Sequence, residues 1–135
     1  MTDTKPFLDT NILLYLLSSD SIKANKAESI IQAGGMISIQ VLNEFTNVTR
    51  RKLGMPWDEI SEILMLFRSL VDVTPLTMEI HDRGRYIAER YQLSVYDAMI
   101  VASALNGDCD ILYTEDMHHD MLIDDQLKIY NPFLI

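Results

Sequence analysis

The chain has 135 residues, 48% of them apolar and 23% charged, with 20 acidic against 11 basic side chains and a formal charge of −9. That length suits one domain of ordinary size, taken as residues 1–135, and that apolar content excludes a disordered acidic tail. The acidity excludes the plainest kind of nucleic-acid binder, one that works through a broadly basic surface.

Strands and helices alternate along the chain. Lys5–Leu8 reads as a short buried strand and Ile12–Leu17 as an apolar helix. A second helix over Ile22–Ala33 stops at Gly34-Gly35, a strong carboxyl-terminal signal. Met36–Ile39 is the next strand, and Gln40–Lys52 a helix with Val41, Phe45 and Val48 on one face. Gly54, with Pro56 near the first helical position, opens a helix that runs through Leu70. Val71–Thr74 follows as a strand and Thr77–Tyr91 as a helix with Ile80, Ile87 and Tyr91 turned inward. Ser94–Leu105 is apolar nearly all round, which predicts a deeply buried helix. Ile111–Thr114 and Lys128–Tyr130 complete the strands. Connections of this length imply parallel strands in a three-layer α/β/α sandwich.

The negative charge is concentrated. Tyr91–Leu127 carries eight acids and no Lys or Arg, whereas the rest of the chain has twelve acids and eleven bases. A run of like charge usually marks a solvated face, yet this one contains the core sequences AMIVASAL and DILY. Cys109 is the lone cysteine, which fits a reducing cytosol and reads as a small buried hydrophobe. MTDTKPF lacks the pattern of a secretory leader, and no apolar run approaches the roughly 18 residues of a membrane span. No membrane partner is expected.

Four carboxylates stand where charge is normally avoided. Asp9 and Asp116 follow the carboxyl ends of two strands, where open α/β sheets bind ligands. Glu44 shares the stripe of Val41 and Val48, and Asp97 stacks with Ile100 and Val101 on a helix face that is buried. Each has an ordinary explanation as well. Asp9 can cap a helix, Glu44 can reach solvent from a rim, and Ser94-x-x-Asp97 fits a capping box. Together they are more telling, since two unit charges 4 Å apart repel by about 4 kcal/mol at an effective dielectric of ~20. A cluster of four needs protons or a cation. Oxygen donors without His or Cys point to Mg²⁺ or Mn²⁺, which suits phosphodiester hydrolysis.

The segments FLDTNILLYLL, QVLNEF with TRRKLG, LSVYDAMIVASAL, CDILYTEDMHH and KIYNPF resemble the PIN-domain ribonucleases, specifically the VapC-type toxins of toxin–antitoxin pairs. The resemblance runs over nearly the whole chain in the family's order. It implies a PIN-like fold and a Mg²⁺- or Mn²⁺-dependent endoribonuclease with Asp9, Glu44, Asp97 and Asp116 as its acidic quartet. Asp9, Asp97 and Asp116 are then expected to hold the metal, and Glu44 to orient or deprotonate the attacking water. Asn11 and Thr114 fall on the family's supporting polar positions. It further implies an RNA substrate, a cognate antitoxin that covers the acidic site, and a homodimer. Tyr96 stands where relatives often have Trp, and Asp120 where they often have Gly, which leaves the shape of that loop open.

Other motifs carry weaker readings. His118-His119 lacks the spacing of a zinc site and reads as a pair of loop residues. Met65, Met78 and Met99 fall at core spacing. Arg50, Arg51 and Lys52 form the only basic triplet, suited either to the helix dipole or to phosphate. Trp57–Leu70, with Ile60, Ile63, Leu64 and Phe67, is a candidate wall for the antitoxin groove or ordinary core. Asp108, Asp110, Asp120, Asp124 and Asp125 have no catalytic reading and could suit a basic antitoxin. A catalytically silent PIN-like module and an acid-cluster phosphoryl-transfer domain are the alternatives. The second lacks both the Asp-x-Asp of haloacid dehalogenases, since Asp9 is followed by Thr10-Asn11, and a well-placed late lysine.

Overall fold

The computed structural model describes residues 5–134. The leader-free reading of MTDTKPF therefore rests in part on Met1–Thr4, which lie outside the described residues. β1 (Phe7–Leu8) leads into α1 (Thr10–Leu14), a 3₁₀ turn at Tyr15–Leu17 and α2 (Ser21–Gln32). β2 (Met36–Ser38), α3 (Ile39–Arg51), α4 (Trp57–Leu70) and β3 (Asp72–Thr74) follow. Then come α5 (Met78–Tyr91), α6 (Val95–Asn106), β4 (Ile111–Tyr113), β5 (Leu122–Ile123) and β6 (Leu127–Tyr130).

The strands form one sheet in the order β3-β2-β1-β4-β6-β5. All pairs are parallel except β5 with β6. The order gives the layers. β1, β2 and β3 step outward in one direction, with α1–α4 as their crossovers, and the chain then returns through α5 and α6 to place β4 on the other side of β1. Right-handed crossovers put those two sets of helices on opposite faces. α1–α4 accordingly pack among themselves and α5 packs on α6, the three-layer α/β/α arrangement expected. Phe7, Leu8, Ile37, Leu112 and Ile129 bring the strands into the core, and Phe45 meets Phe67 edge-on at 4.9 Å to join α3 to α4.

Local chemistry sets the element ends. Asp9, Asp20, Ser38, Thr77 and Ser94 each cap a helix through the side chain. The glycine pair after α2 does two jobs. Gly34 takes φ +91°, and Gly35 lies so close to β1 that a Cβ would sit 2.8 Å from the Pro6 carbonyl oxygen. That carbonyl accepts from Met36 N at 2.8 Å, so Gly35→Ala pushes apart the strand pair beside Asp9. A loss of about 1–3 kcal/mol is expected, measured by urea unfolding.

Several expectations need correction. Ile12–Leu17 is not one helix, because capping by Asp9 starts it earlier and the last three residues tighten into a 3₁₀ turn. The buried face of α3 is Val41, Phe45 and Thr49, with Val48 only half-buried. Met65 and Met78 are 70% and 75% exposed, and of the three methionines only Met99 lies in the core. β5 was absent from the pattern because two residues show no periodicity. Cys109 is buried and its thiol is pushed up to about 11 by that burial, then by Asp110 and Asp108. Among the described residues, no helix is long and apolar enough to cross a membrane.

The unexplained acids are largely turn residues. Asp108, Asp120, Asp124 and Asp125 all have positive φ, between 50° and 69°. Asp tolerates this left-handed region better than most side chains, because its short carboxylate can bond locally. At Asp120 this is a conformation that glycine adopts readily. Asp120 also meets Lys128 at 3.2 Å, and Asp124 accepts from the Tyr91 hydroxyl at 2.8 Å.

Candidate active site

β1 and β4 are neighbours although the chain leaves β1 toward β2, so the sheet has a topological switch point between them. Ligands of open α/β sheets bind just beyond the carboxyl ends of the strands at such a point. Asp9 and the Thr114–Asp116 segment stand there, stitched together where Asp9 N donates to Tyr113 O at 3.0 Å.

Asp9 is the buried centre, only 6% exposed. Its Oδ1 accepts from Thr10 N at 2.7 Å and its Oδ2 from the Thr114 hydroxyl at 2.8 Å. Despite both bonds its pKa is raised to about 7, chiefly by burial, with further upward pushes from Glu44 and Asp116. Asn11 ties the two strand ends together. Its amide nitrogen donates to Asp116 Oδ2 at 3.1 Å and to Thr114 Oγ1 at 3.3 Å, while its oxygen accepts from Glu115 N at 3.3 Å. Thr114 Oγ1 also accepts from Asp116 N at 3.1 Å.

Glu44 reaches this group from α3, where its Oε1 accepts from the Thr10 hydroxyl at 3.0 Å. Asp97 approaches from the first turn of α6. Burial raises its pKa, and the charge of Asp116 adds to that rise against the opposing effect of Ser94. The capping reading of Ser94 holds too, since its hydroxyl accepts from Asp97 N at 3.1 Å. Hydrogen bonds therefore join Asp9, Glu44 and Asp116, while Asp97 is joined by electrostatics alone. Among the described residues, no three His, Cys, Asp or Glu side chains converge tightly enough to grip one ion as they stand.

The donor chemistry nevertheless fits a hard divalent cation. All four groups are carboxylates, and one of them, Asp9, is buried, with its pKa raised to about 7 chiefly by that burial. Mg²⁺ is commonly held by one or two carboxylates and several waters, so a three-carboxylate cage is not required.

Some contributors were missed from sequence. Thr10 binds Glu44, and buried Gln40 donates to Tyr96 O at 3.0 Å, fixing α3 against the start of α6. Tyr15 donates to Glu115 Oε1 at 2.5 Å, and Lys23 lies 3.2 Å from that hydroxyl, beside the Phe133 ring. Only the DTN sequence offered a signal for Thr10. His119 is structural: its Nδ1 accepts from Asn131 N at 2.9 Å and its ring packs on Tyr130. His118 is exposed.

A family model described as PIN domain matches residues 7–121. The chain belongs to the PIN domain family. That membership sets aside the phosphoryl-transfer alternative. Among solved structures, a toxin–antitoxin complex from Klebsiella pneumoniae is similar at TM-score 0.72 and 22% identity, over 96% of this chain and 99% of that one. DNA-bound VapBC from Salmonella typhimurium gives TM-score 0.68 at 17% identity, over 96% and 99%. VapC20 of Mycobacterium tuberculosis, described as a sarcin-ricin loop cleaving toxin, gives 0.67 at 18%, over 82% and 91%. At these identities the likeness shows the PIN fold. Comparison with curated proteins gives no match.

Proposed function

We propose that this PIN domain is a Mg²⁺- or Mn²⁺-dependent endoribonuclease, the toxin half of a toxin–antitoxin pair. One observation carries the reading: carboxylates from β1, α3 and the β4 loop are tied into a single network at the sheet's switch point. The description of VapC20 as a sarcin-ricin loop cleaving toxin supports the reaction, and the toxin–antitoxin complexes among the similar structures support the pairing.

Asp9, Asp97 and Asp116 are the residues that would hold the cation. A divalent cation bound there supplies charge that neutralises a phosphate and lowers the pKa of water. Glu44 orients or deprotonates the attacking water, its carboxylate aimed by the Thr10 hydroxyl. Thr114 holds Asp9 and Asn11 holds Asp116, so neither carboxylate swings away when its neighbours change charge. Arg51 and Lys52 are exposed and available to the RNA backbone, whereas Arg50 is engaged with Met55 O at 3.0 Å.

Most of the α4 residues expected to wall the antitoxin groove are core. Ile60 and Phe67 are buried and Ile63 and Leu64 pack on the core. The open apolar side of α4 is Leu66 and Leu70, which with Phe67, Leu16 and Ile31 line a groove of about 360 Å³ against α2. An antitoxin segment there, a homodimer and a cytoplasmic setting complete the reading.

The test is purified protein without antitoxin, incubated with total RNA in Mg²⁺, Mn²⁺ or EDTA, with the ends mapped. Discrete cuts with either cation and none in EDTA are expected. Intact RNA in all three would leave the silent binding module.

A further inference from the structure

The groove between the last turns of α3 and the start of α4 is lined by Asn43, Thr46, Asn47, Arg50, Arg51 and Trp57, in a volume of about 340 Å³. Its polar, cationic and aromatic lining contrasts with the apolar α2–α4 groove. We infer that this groove is a subsite for one unpaired RNA nucleotide, its base stacked on Trp57 and its edge read by Asn43 and Asn47. The inference rests on the nuclease reading for its ligand.

Three observations carry it. The Trp57 indole is 58% exposed yet held in place, because the Arg50 guanidinium lies over it at 5.0 Å and is itself fixed on Met55 O. A rigid, open aromatic face beside a guanidinium is what an unstacked base requires, and every base has a π-face to offer. The Asn43 and Asn47 side-chain amides are exposed and make no hydrogen bond among the described residues, leaving donors and acceptors free for a base edge.

Helical spacing connects this groove to the acids. Glu44, Asn47 and Arg51 stand at i, i+3 and i+7, so they share one stripe of α3. Arg51 is about 10 Å along the axis from Glu44. A strand whose phosphate lies at the acidic site can therefore run along α3 into the groove. Exposed Arg51 and Lys52 suit a polyanion on a chain of charge −9. Paired RNA is excluded as the ligand, because its bases are already stacked.

Trp57 is the sole tryptophan, so its fluorescence reports the groove directly. The probe is a mixed-sequence single-stranded RNA 12-mer in EDTA, followed in parallel by anisotropy and by tryptophan emission, with inorganic polyphosphate as a baseless polyanion. RNA is expected to quench emission with the same midpoint as anisotropy, and polyphosphate to leave emission unchanged. Trp57→Ala is expected to weaken binding about 5- to 150-fold and Trp57→Phe to retain most of it. Asn47→Ala, on an exposed helix face, is a second variant and is expected to weaken binding too. Unchanged emission on RNA binding, equal quenching by polyphosphate, or wild-type affinity in both alanine variants overturns the subsite. If the parent still cuts RNA with Mg²⁺ in those cases, the nuclease reading survives. A parent that neither binds nor cuts RNA overturns both.

Discussion

Asp97→Asn is expected to lower RNA cleavage by at least about 100-fold while the melting temperature stays the same or rises slightly. The magnitude follows from mutations of residues that merely support a metal ligand, which already cost 10- to 100-fold, so a direct ligand costs no less. The fold is spared for a local reason. Ser94 caps α6 through the backbone N of residue 97, which asparagine keeps. The carboxylate itself is held above its ordinary pKa by burial and by Asp116, so removing its charge relieves strain in the resting protein. Cleavage rates across a range of Mg²⁺ concentrations, with thermal unfolding of the same sample, check both halves. A variant that cuts at the parental rate removes Asp97 from the site.

Asp9→Asn has the larger effect on stability. In the folded protein Asp9 has a pKa of about 7, against 3.8 in an unfolded chain, with burial the main cause. Between those values the folded state holds a proton that the unfolded state has lost. The contribution of this group to stability is thus full below pH ~4 and is lost as pH rises through 7. The raised pKa corresponds to about 4 kcal/mol at pH 8, since each unit is worth 1.36 kcal/mol. Asparagine removes that cost but weakens the hydrogen bond with Thr114, returning about 1 kcal/mol. Cation-free Asp9→Asn should therefore melt roughly 5 °C or more above the parent at pH 8, with that advantage gone near pH 4. Guanidinium unfolding at both pH values gives the same comparison. An unchanged difference across that range would show that Asp9 keeps its charge without a cation.

The legible parts of this protein were those with a period or a cap. Ser94, Thr77 and the Gly34-Gly35 pair mark helix ends directly, and the apolar run Ala98–Leu105 reads as a buried helix because the structure leaves it no exposed side. The four candidate acids stand out by position as well, two past strand ends and two on inward helix stripes. What was illegible depends on tertiary partners. Nothing in the spacing of α3 says that Thr49 rather than Val48 faces the core, nor does the spacing of α4 say that Leu66 and Leu70 join Phe67 in lining the groove against α2. The positive backbone angles of Asp108, Asp120, Asp124 and Asp125 are equally silent in sequence, although they assign much of the surplus charge to turns. The acidity that counted against a nuclease divides into turn residues and the candidate site.

The central claim is that Asp9, Glu44, Asp97 and Asp116 form one cation-dependent site. Calorimetric titration of Mn²⁺ into the protein at pH 6.5 and 8, in buffers of different ionisation enthalpy, tests it most directly. Saturable binding that tightens as pH rises is expected, with proton release at pH 6.5 as Asp9 ionises, and a marked loss of affinity in Asp9→Asn, Asp97→Asn and Asp116→Asn. Absence of saturable binding, or binding that all three variants retain, would contradict it.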